Sequence, residues 1–221
     1  KPVLAPEFTS SLIYLDFSAD RLKTGGSALA QVLNALGDEA PTVADPGIFI
    51  RAFEAVQTLI RKDILLAGHD ISSGGMVTAL LEMLFAQPGI GLDIDLDGFG
   101  ESDIIKLLFS ENPGVVIQVN DIDYASVLLQ EAGLKFHILG KPSFRRNLAL
   151  RYHNGVVEME VDQLRKLWFK TSYLLDRQQS GEDHARERYH NFDKQPLSCE
   201  FGDDFTGALS QFNIDINRTS P

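Results

Sequence analysis

The chain has 221 residues, 44% of them hydrophobic, with one cysteine and a formal net charge of -11. That is enough apolar material to bury a core in one domain with an appendage, or in two small domains. The acidic balance argues against a nucleic-acid partner, which needs a basic face, and no apolar run approaches the span of a bilayer. Cys199 by itself makes neither an internal disulfide nor a cysteine-based zinc site, so a reducing, cytoplasmic compartment is expected. The sequence starts without Met or a signal peptide and reads as a segment of something longer.

Lys1 to Glu7 carries two prolines and is expected to be extended. Ser11 to Ser18, with Leu12, Tyr14 and Phe17 among β-favouring neighbours, reads as a strand. Ser27 to Leu36 reads as a helix with Leu29, Val32, Leu33 and Leu36 on one face and Gly37 as its C-cap. Gly25 and Gly26 precede that helix without a charged partner beside them, so a structural turn is preferred over an anion site. Asp45-Pro46 predicts a capped helix to Lys62 that carries Ile48, Phe53, Val56, Leu59 and Ile60.

Asp63 to Phe85 is the stretch around which the chain is organised. Ile64, Leu65 and Leu66 suit a buried strand that stops at Gly68, and Met76, Ala79, Leu80, Met83 and Leu84 recur at helical spacing. Between them HDISSGG, His69 to Gly75, becomes a turn at a helix N-terminus, with Ser72 or Ser73 as a cap. Gly74 and Gly75 would let a phosphate approach the backbone, and Asp70 could hold that phosphate's magnesium. On local physics alone, serine and glycine at a helix start are read first as plain capping.

Gly91 to Gly98 alternates apolar Leu92, Ile94 and Leu96 with Asp93, Asp95 and Asp97, the pattern of a half-solvated strand. The same residues open like a calcium loop, but the twelfth position from Asp93 is Ile104, where a bidentate Glu is required. Helices are then predicted over Ser102 to Phe109 and Asp121 to Ala132, and strands over Gly114 to Val119, Phe136 to Leu139, Leu148 to Tyr152 and Val156 to Val161. Asp162 opens a further helix to Asp176. This order suits an α+β fold, with helices packed on a mixed, largely antiparallel sheet, followed by an irregular C-terminal extension. Residues 1–176 are expected to form the domain and 177–221 a linker or arm, in which His184 and His190 read as a solvated face and Cys199 has no histidine beside it to make a nucleophile.

Four segments in order, GGSALAQ (Gly25 to Gln31), HDISSGG with its helix continuing to EMLFA, FSENPGVVIQV (Phe109 to Val119) and LRKLWFKTSYLLD (Leu164 to Asp176), resemble the large, single-chain phosphoribosylformylglycinamidine synthases. The resemblance covers about Leu12 to Asp176 and points to their second AIR-synthetase-like C-terminal domain. It implies an ATP-dependent ligase of purine biosynthesis, which converts formylglycinamide ribonucleotide to the amidine with ammonia from glutamine. Carried over residue by residue, it makes Asp70 a magnesium ligand and Ser72 a nucleotide contact, with Mg2+ and ATP or ADP as cofactors. The family often has a second acidic residue where this chain has Ser73, so no metal role is implied there. The resemblance implies no catalytic residue in this segment. Its partners would be the remaining domains of the same polypeptide, among them the amino-terminal AIR-synthetase-like halves and a glutaminase domain, so an exposed apolar face is expected. Two alternatives stay open, an interaction module that holds no nucleotide and a related kinase of the selenophosphate or thiamine-monophosphate type. GGSALAQ and LRKLWFKTSYLLD argue against the kinase.

Overall fold

In strand β1 (Ser11–Asp16) all residues but the first are buried, and the alternation of its side chains divides the interior in two. Leu12 and Tyr14 point into one apolar cluster, while Ile13 and Leu15, with Phe17 beyond the strand end, point into the other. That is the two-residue period of a pleated strand covered on both faces. The computed structural model describes residues 1–191, 202 and 205–212, so Cys199 and most of the Gly202-Asp203-Asp204 turn lie outside the described residues.

The other elements, in order, are α1 (Ala28–Val32), α2 (Pro46–Arg61), β2 (Leu65–Asp70), α3 (Gly75–Phe85), β3 (Gly91–Asp95), α4 (Ile104–Phe109), β4 (Gly114–Val119), α5 (Ile122–Glu131), β5 (Phe136–Ser143), β6 (Asn147–Tyr152), β7 (Gly155–Glu160), α6 (Val161–Ser180) and α7 (Glu182–Asn191). The strands form one seven-stranded sheet in the order β2-β4-β1-β5-β3-β6-β7. Only the β3–β6 pair is parallel, so the sheet is mixed and largely antiparallel. Helices α3 and α4 cover one face through Met76, Leu80, Met83, Leu84, Leu107 and Leu108. On the other face α2 and α5 contribute Ala52, Ala55, Leu59, Ala125 and Leu129.

Local chemistry accounts for several helix ends. The Asp45 side chain accepts from Gly47 and Ile48 N–H with Pro46 at the first helical position, and Asp103 and Asp121 cap α4 and α5 in the same way. Buried Gln118 accepts from Ala5 N–H at 2.8 Å and donates to Ala5 O and Ser10 Oγ, so the N-terminal segment is pinned to the sheet and Leu4 is buried. Arg146 donates to the carbonyls of Leu84, Gln87 and Ile90, satisfying groups at and beyond the end of α3.

Three expectations change. The helix expected over Ser27 to Leu36 stops at Val32, although Ser27 caps it. Asn34 and Gly37 take positive φ and the chain doubles back, so that Gly25 N–H donates to Glu39 O and Gly26 N–H to Leu36 O. The helical apolar face is thereby lost, and Val32 is 84% exposed. The strand expected to Gly98 ends at Asp95, after which Asp97–Phe99 form a 3-10 turn. Finally, the stretch after Asp176, expected as an irregular linker or arm, is not irregular there but helical through Ser180 and again in α7.

The chain divides into two compact units, Lys1–Ser172 and Tyr173–Pro221, with the boundary inside α6. Within the second unit Gly181, at φ +87°, turns the chain between its helices. Arg188 pairs with Asp176 at 2.7 Å and Tyr173 stacks on Tyr189 at 4.6 Å. Polar and aromatic contacts between consecutive helices thus order a sequence that lacks an apolar period. In the first unit, large apolar side chains lie exposed on α1 and α2, among them Val32, Ile50 and Phe53.

Candidate functional site at the turn between β2 and α3

The registers place the C-terminal ends of β1 and β2 and the N-terminal ends of β4 and β5 at one end of the sheet, since Asp16 faces Gly114, Asp70 faces Val115 and Leu15 faces Phe136. Asp70 is the last residue of β2, and its side chain is 75% exposed. Among the described residues its carboxylate has no Lys or Arg partner and takes no backbone N–H. His69 Nδ1 lies 3.6 Å from Oδ1. Ser72 and Ser73 are both exposed.

The turn that follows has no serine cap. Gly74, at φ +91°, is the N-cap of α3 and makes no side-chain cap bond, which corrects the expectation for Ser72 or Ser73. The N–H of Gly74 instead donates to Glu111 Oε1 at 2.8 Å, and Ala28 N–H, at the start of α1, donates to the same oxygen at 2.7 Å. One carboxylate therefore joins the two glycine-preceded helix starts, where negative charge is favoured. Gly75 N–H donates to Ser72 O. Both glycine N–H groups are thus engaged within the chain, while Asp70, Ser72 and Ser73 are exposed at the turn.

The glycines have a packing reason as well. A Cβ on Gly75, at φ +73°, would lie 2.5 Å from Leu108 O and 2.7 Å from Phe109 Cα, so only glycine lets α3 begin against the end of α4. The residue pair just beyond α4, Glu111-Asn112, completes the support. Asn112 Oδ1 accepts from Lys23 N–H at 3.0 Å, and its Nδ2 donates to Arg21 O at 3.0 Å and Ser18 Oγ, which holds the loop after β1 beside the turn.

Sequence reading left Glu111 without a role, although the polar pair Glu111-Asn112 just ahead of an apolar strand was its signal. It also passed over Glu82, the single charged residue of α3, whose Oε2 lies 3.2 Å from His69 Nε2. Glu111→Ala is expected to cost about 2–3 kcal/mol, because two charge-assisted hydrogen bonds to helix-start N–H groups are lost together. Glu111→Gln keeps a neutral acceptor and should cost about half of that, which urea midpoints of the two variants will show.

At the same end of the sheet a cavity of about 190 Å3 is lined by Tyr14, Asp16, Phe99, Lys135 and His137, among others. His137 stacks on Phe99 at 4.0 Å, and its Nε2 is buried without a protein partner. Burial, and then the nearby Lys135 ammonium, hold the His137 imidazole below its ordinary pKa. The unfolded chain therefore takes up this proton first as pH falls. The contribution of His137 to stability is complete above about pH 6.5, the ordinary histidine value, and declines as pH falls through and below it. His137→Gln should remove that decline, and the difference between parent and variant in pH-dependent urea unfolding measures it.

Among the described residues no group of three or more His, Cys, Asp or Glu side chains converges as a metal cage. Magnesium is commonly held by one or two carboxylates together with phosphate oxygens and waters, so an exposed, uncompensated Asp70 fits a shared site and not a complete one. Among the described residues no helix is long and apolar enough to cross a membrane.

A model of the family described as AIR synthase related protein, C-terminal domain, matches residues 11–152. The chain belongs to that family. This AIR-synthase-related domain is 39% identical over 184 residues to human phosphoribosylformylglycinamidine synthase, an alignment that covers 79% of the chain and 13% of the human protein. A probable phosphoribosylformylglycinamidine synthase of Caenorhabditis elegans is 33% identical over 207 residues, covering 86% of the chain and 16% of that protein. The chain thus spans well under a fifth of either relative. T. maritima PurL complexed with ATP has the same fold at 16% identity and a TM-score of 0.57, over 74% of this chain and 27% of that one. PurL complexed with FGAR aligns with a TM-score of 0.55 at 17% identity, covering 74% and 29%. The α+β architecture expected of an AIR-synthase-related domain is the one found.

Proposed function

We propose that this AIR-synthase-related domain is a segment of a phosphoribosylformylglycinamidine synthase, in which the turn from Asp70 to Gly75 forms part of a nucleotide and magnesium site. The observation that carries the reading is the 39% identity to the human synthase over 79% of the chain. In the proposed site Asp70 supplies a metal ligand and Ser72 a hydroxyl to the nucleotide. Gly74 and Gly75 shape the turn that presents them, since their own N–H groups are engaged. Magnesium, when bound, neutralises phosphate charge. Two structures of the same fold were obtained with ATP or ADP, which supports a nucleotide as the ligand class.

The segment binds and orients and does not carry out the reaction alone. Other parts of the same polypeptide, including a glutaminase domain, supply the remaining ligands, the substrate contacts and ammonia, in the cytoplasm. Exposed apolar side chains on α1 and α2 support the presence of such neighbours. The reading is tested by assaying the full-length polypeptide for ADP release that requires both formylglycinamide ribonucleotide and glutamine. Turnover dependent on both is expected. Absence of ADP release, or release that ignores either substrate, would contradict it.

A further inference from the structure

The geometry points to His69 and Glu82 as positioning residues for the Asp70 carboxylate, a role that rests on the metal-ligand reading of Asp70. His69 lies one residue inside β2, with its side chain only 16% exposed. Its Nδ1 is 2.8 Å from the main-chain oxygen of Asp70 and 3.6 Å from Asp70 Oδ1. A carbonyl oxygen only accepts, so Nδ1 donates to it. On the opposite edge of the ring, Nε2 lies 3.2 Å from Glu82 Oε2. Each ring nitrogen thus has an oxygen within hydrogen-bond distance.

Glu82 is placed on the third turn of a helix whose other residues are apolar or Thr78, and its side chain is 28% exposed. A charge there does nothing for the core. The helix, moreover, begins at Gly75 and packs against α4 through Met76, Leu80 and Leu108, so Glu82 is carried on a rigid element. The chain of contacts runs from α3 through Glu82 and His69 to the end of β2 and leaves the Asp70 carboxylate as its single exposed member. This is the order in which outer groups fix a metal-binding side chain. The inner partners are held by packing and hydrogen bonds, and the terminal carboxylate is oriented but open. Without Glu82 the imidazole can rotate, and the peptide after Asp70 loses its fixed donor.

Loss of such outer partners commonly weakens metal binding by about 10–100-fold. The test uses the full-length polypeptide with ADP and Mn2+ as the probe, read by electron paramagnetic resonance of free Mn2+. The relevant site is defined as the class of bound Mn2+ that disappears in Asp70→Asn. Glu82→Ala is expected to weaken that class by about 10-fold or more, while Glu82→Gln, which keeps an acceptor for Nε2, stays within about threefold of the parent. ADP binding in the presence of EDTA and the melting temperature of the metal-free protein should not change with either Glu82 variant, which a merely structural role for Glu82 would alter. If Asp70→Asn removes a class of Mn2+ and Glu82→Ala leaves its affinity as in the parent, the positioning role is wrong and the ligand role of Asp70 stands. If Asp70→Asn removes no Mn2+, or the parent binds none with ADP, the metal-ligand reading falls and the positioning role falls with it.

Discussion

Gly75→Ala is expected to destabilise the domain by about 4 kcal/mol, the largest single effect of a one-methyl change at the site. Placing a Cβ at a left-handed φ costs about 1–2 kcal/mol, and overpacking against a filled neighbour adds about 1–3 kcal/mol. Both apply here, because φ is +73° and the atoms met are backbone, Leu108 O at 2.5 Å and Phe109 Cα at 2.7 Å, which cannot swing away as a side-chain tip can. A loss of that size is a large part of the stability of an ordinary domain, and the melting temperature should drop by roughly 10 °C. Gly89 provides the control. It has φ +80° with nothing within 4 Å of an added methyl, so Gly89→Ala should show the conformational cost alone, about 1–2 kcal/mol. Equal losses at the two positions would mean that the close approach of α3 to α4 does not constrain the turn.

The two glycines of the turn have more than one use. From sequence they read as room for a phosphate, and the structure gives them a second employment, in which one avoids a clash with α4 and the other offers its N–H to Glu111. In the proposed site the contacts therefore fall to the Asp70 carboxylate and the serine hydroxyls, on a frame that Gly75, Glu111 and Asn112 keep in place.

Much of the fold was legible where local chemistry is strong. Asp45-Pro46 announces α2, the alternation of β1 divides its side chains between two clusters, and GVVIQV is β4 to the residue. The failures have a common cause in contacts distant along the chain. The period of Ser27 to Leu36 fits a helix, yet Gly25 and Gly26 take carbonyls from Glu39 and Leu36, and the last helical turn is given up to that closure. Charged residues after Asp176 carry no apolar period, but the Asp176–Arg188 pair and the Tyr173–Tyr189 stack hold helices there. The sheet order, with β1 between β4 and β5 and one parallel pair, is set by pairings that no local pattern encodes.

The candidate site shows the same division. Asp70 and Ser72 could be singled out from the strand, turn and helix pattern and from the family resemblance. Glu111 acts through residues 37 and 83 positions away in sequence, Gly74 and Ala28, and becomes visible only when the loops meet. Glu82 was hidden for the opposite reason. It sits within a strongly apolar helix whose period reads clearly without it.

The most direct test of the proposed site is retention of nucleotide and magnesium by Asp70→Asn in the full-length polypeptide. Asn caps helices about as well as Asp but lacks the charge that a hard divalent cation requires. In this structure Asp70 caps nothing, because α3 begins at Gly75 with Gly74 as its N-cap. The melting temperature of the nucleotide-free protein should therefore stay as in the parent. Magnesium-dependent nucleotide retention should fall by about 100-fold, the upper end of what loss of a supporting partner alone produces and equivalent to about 2.7 kcal/mol. Equal retention of nucleotide and magnesium in parent and variant would contradict the assignment of Asp70 as a metal ligand, and with it the proposed site at this turn.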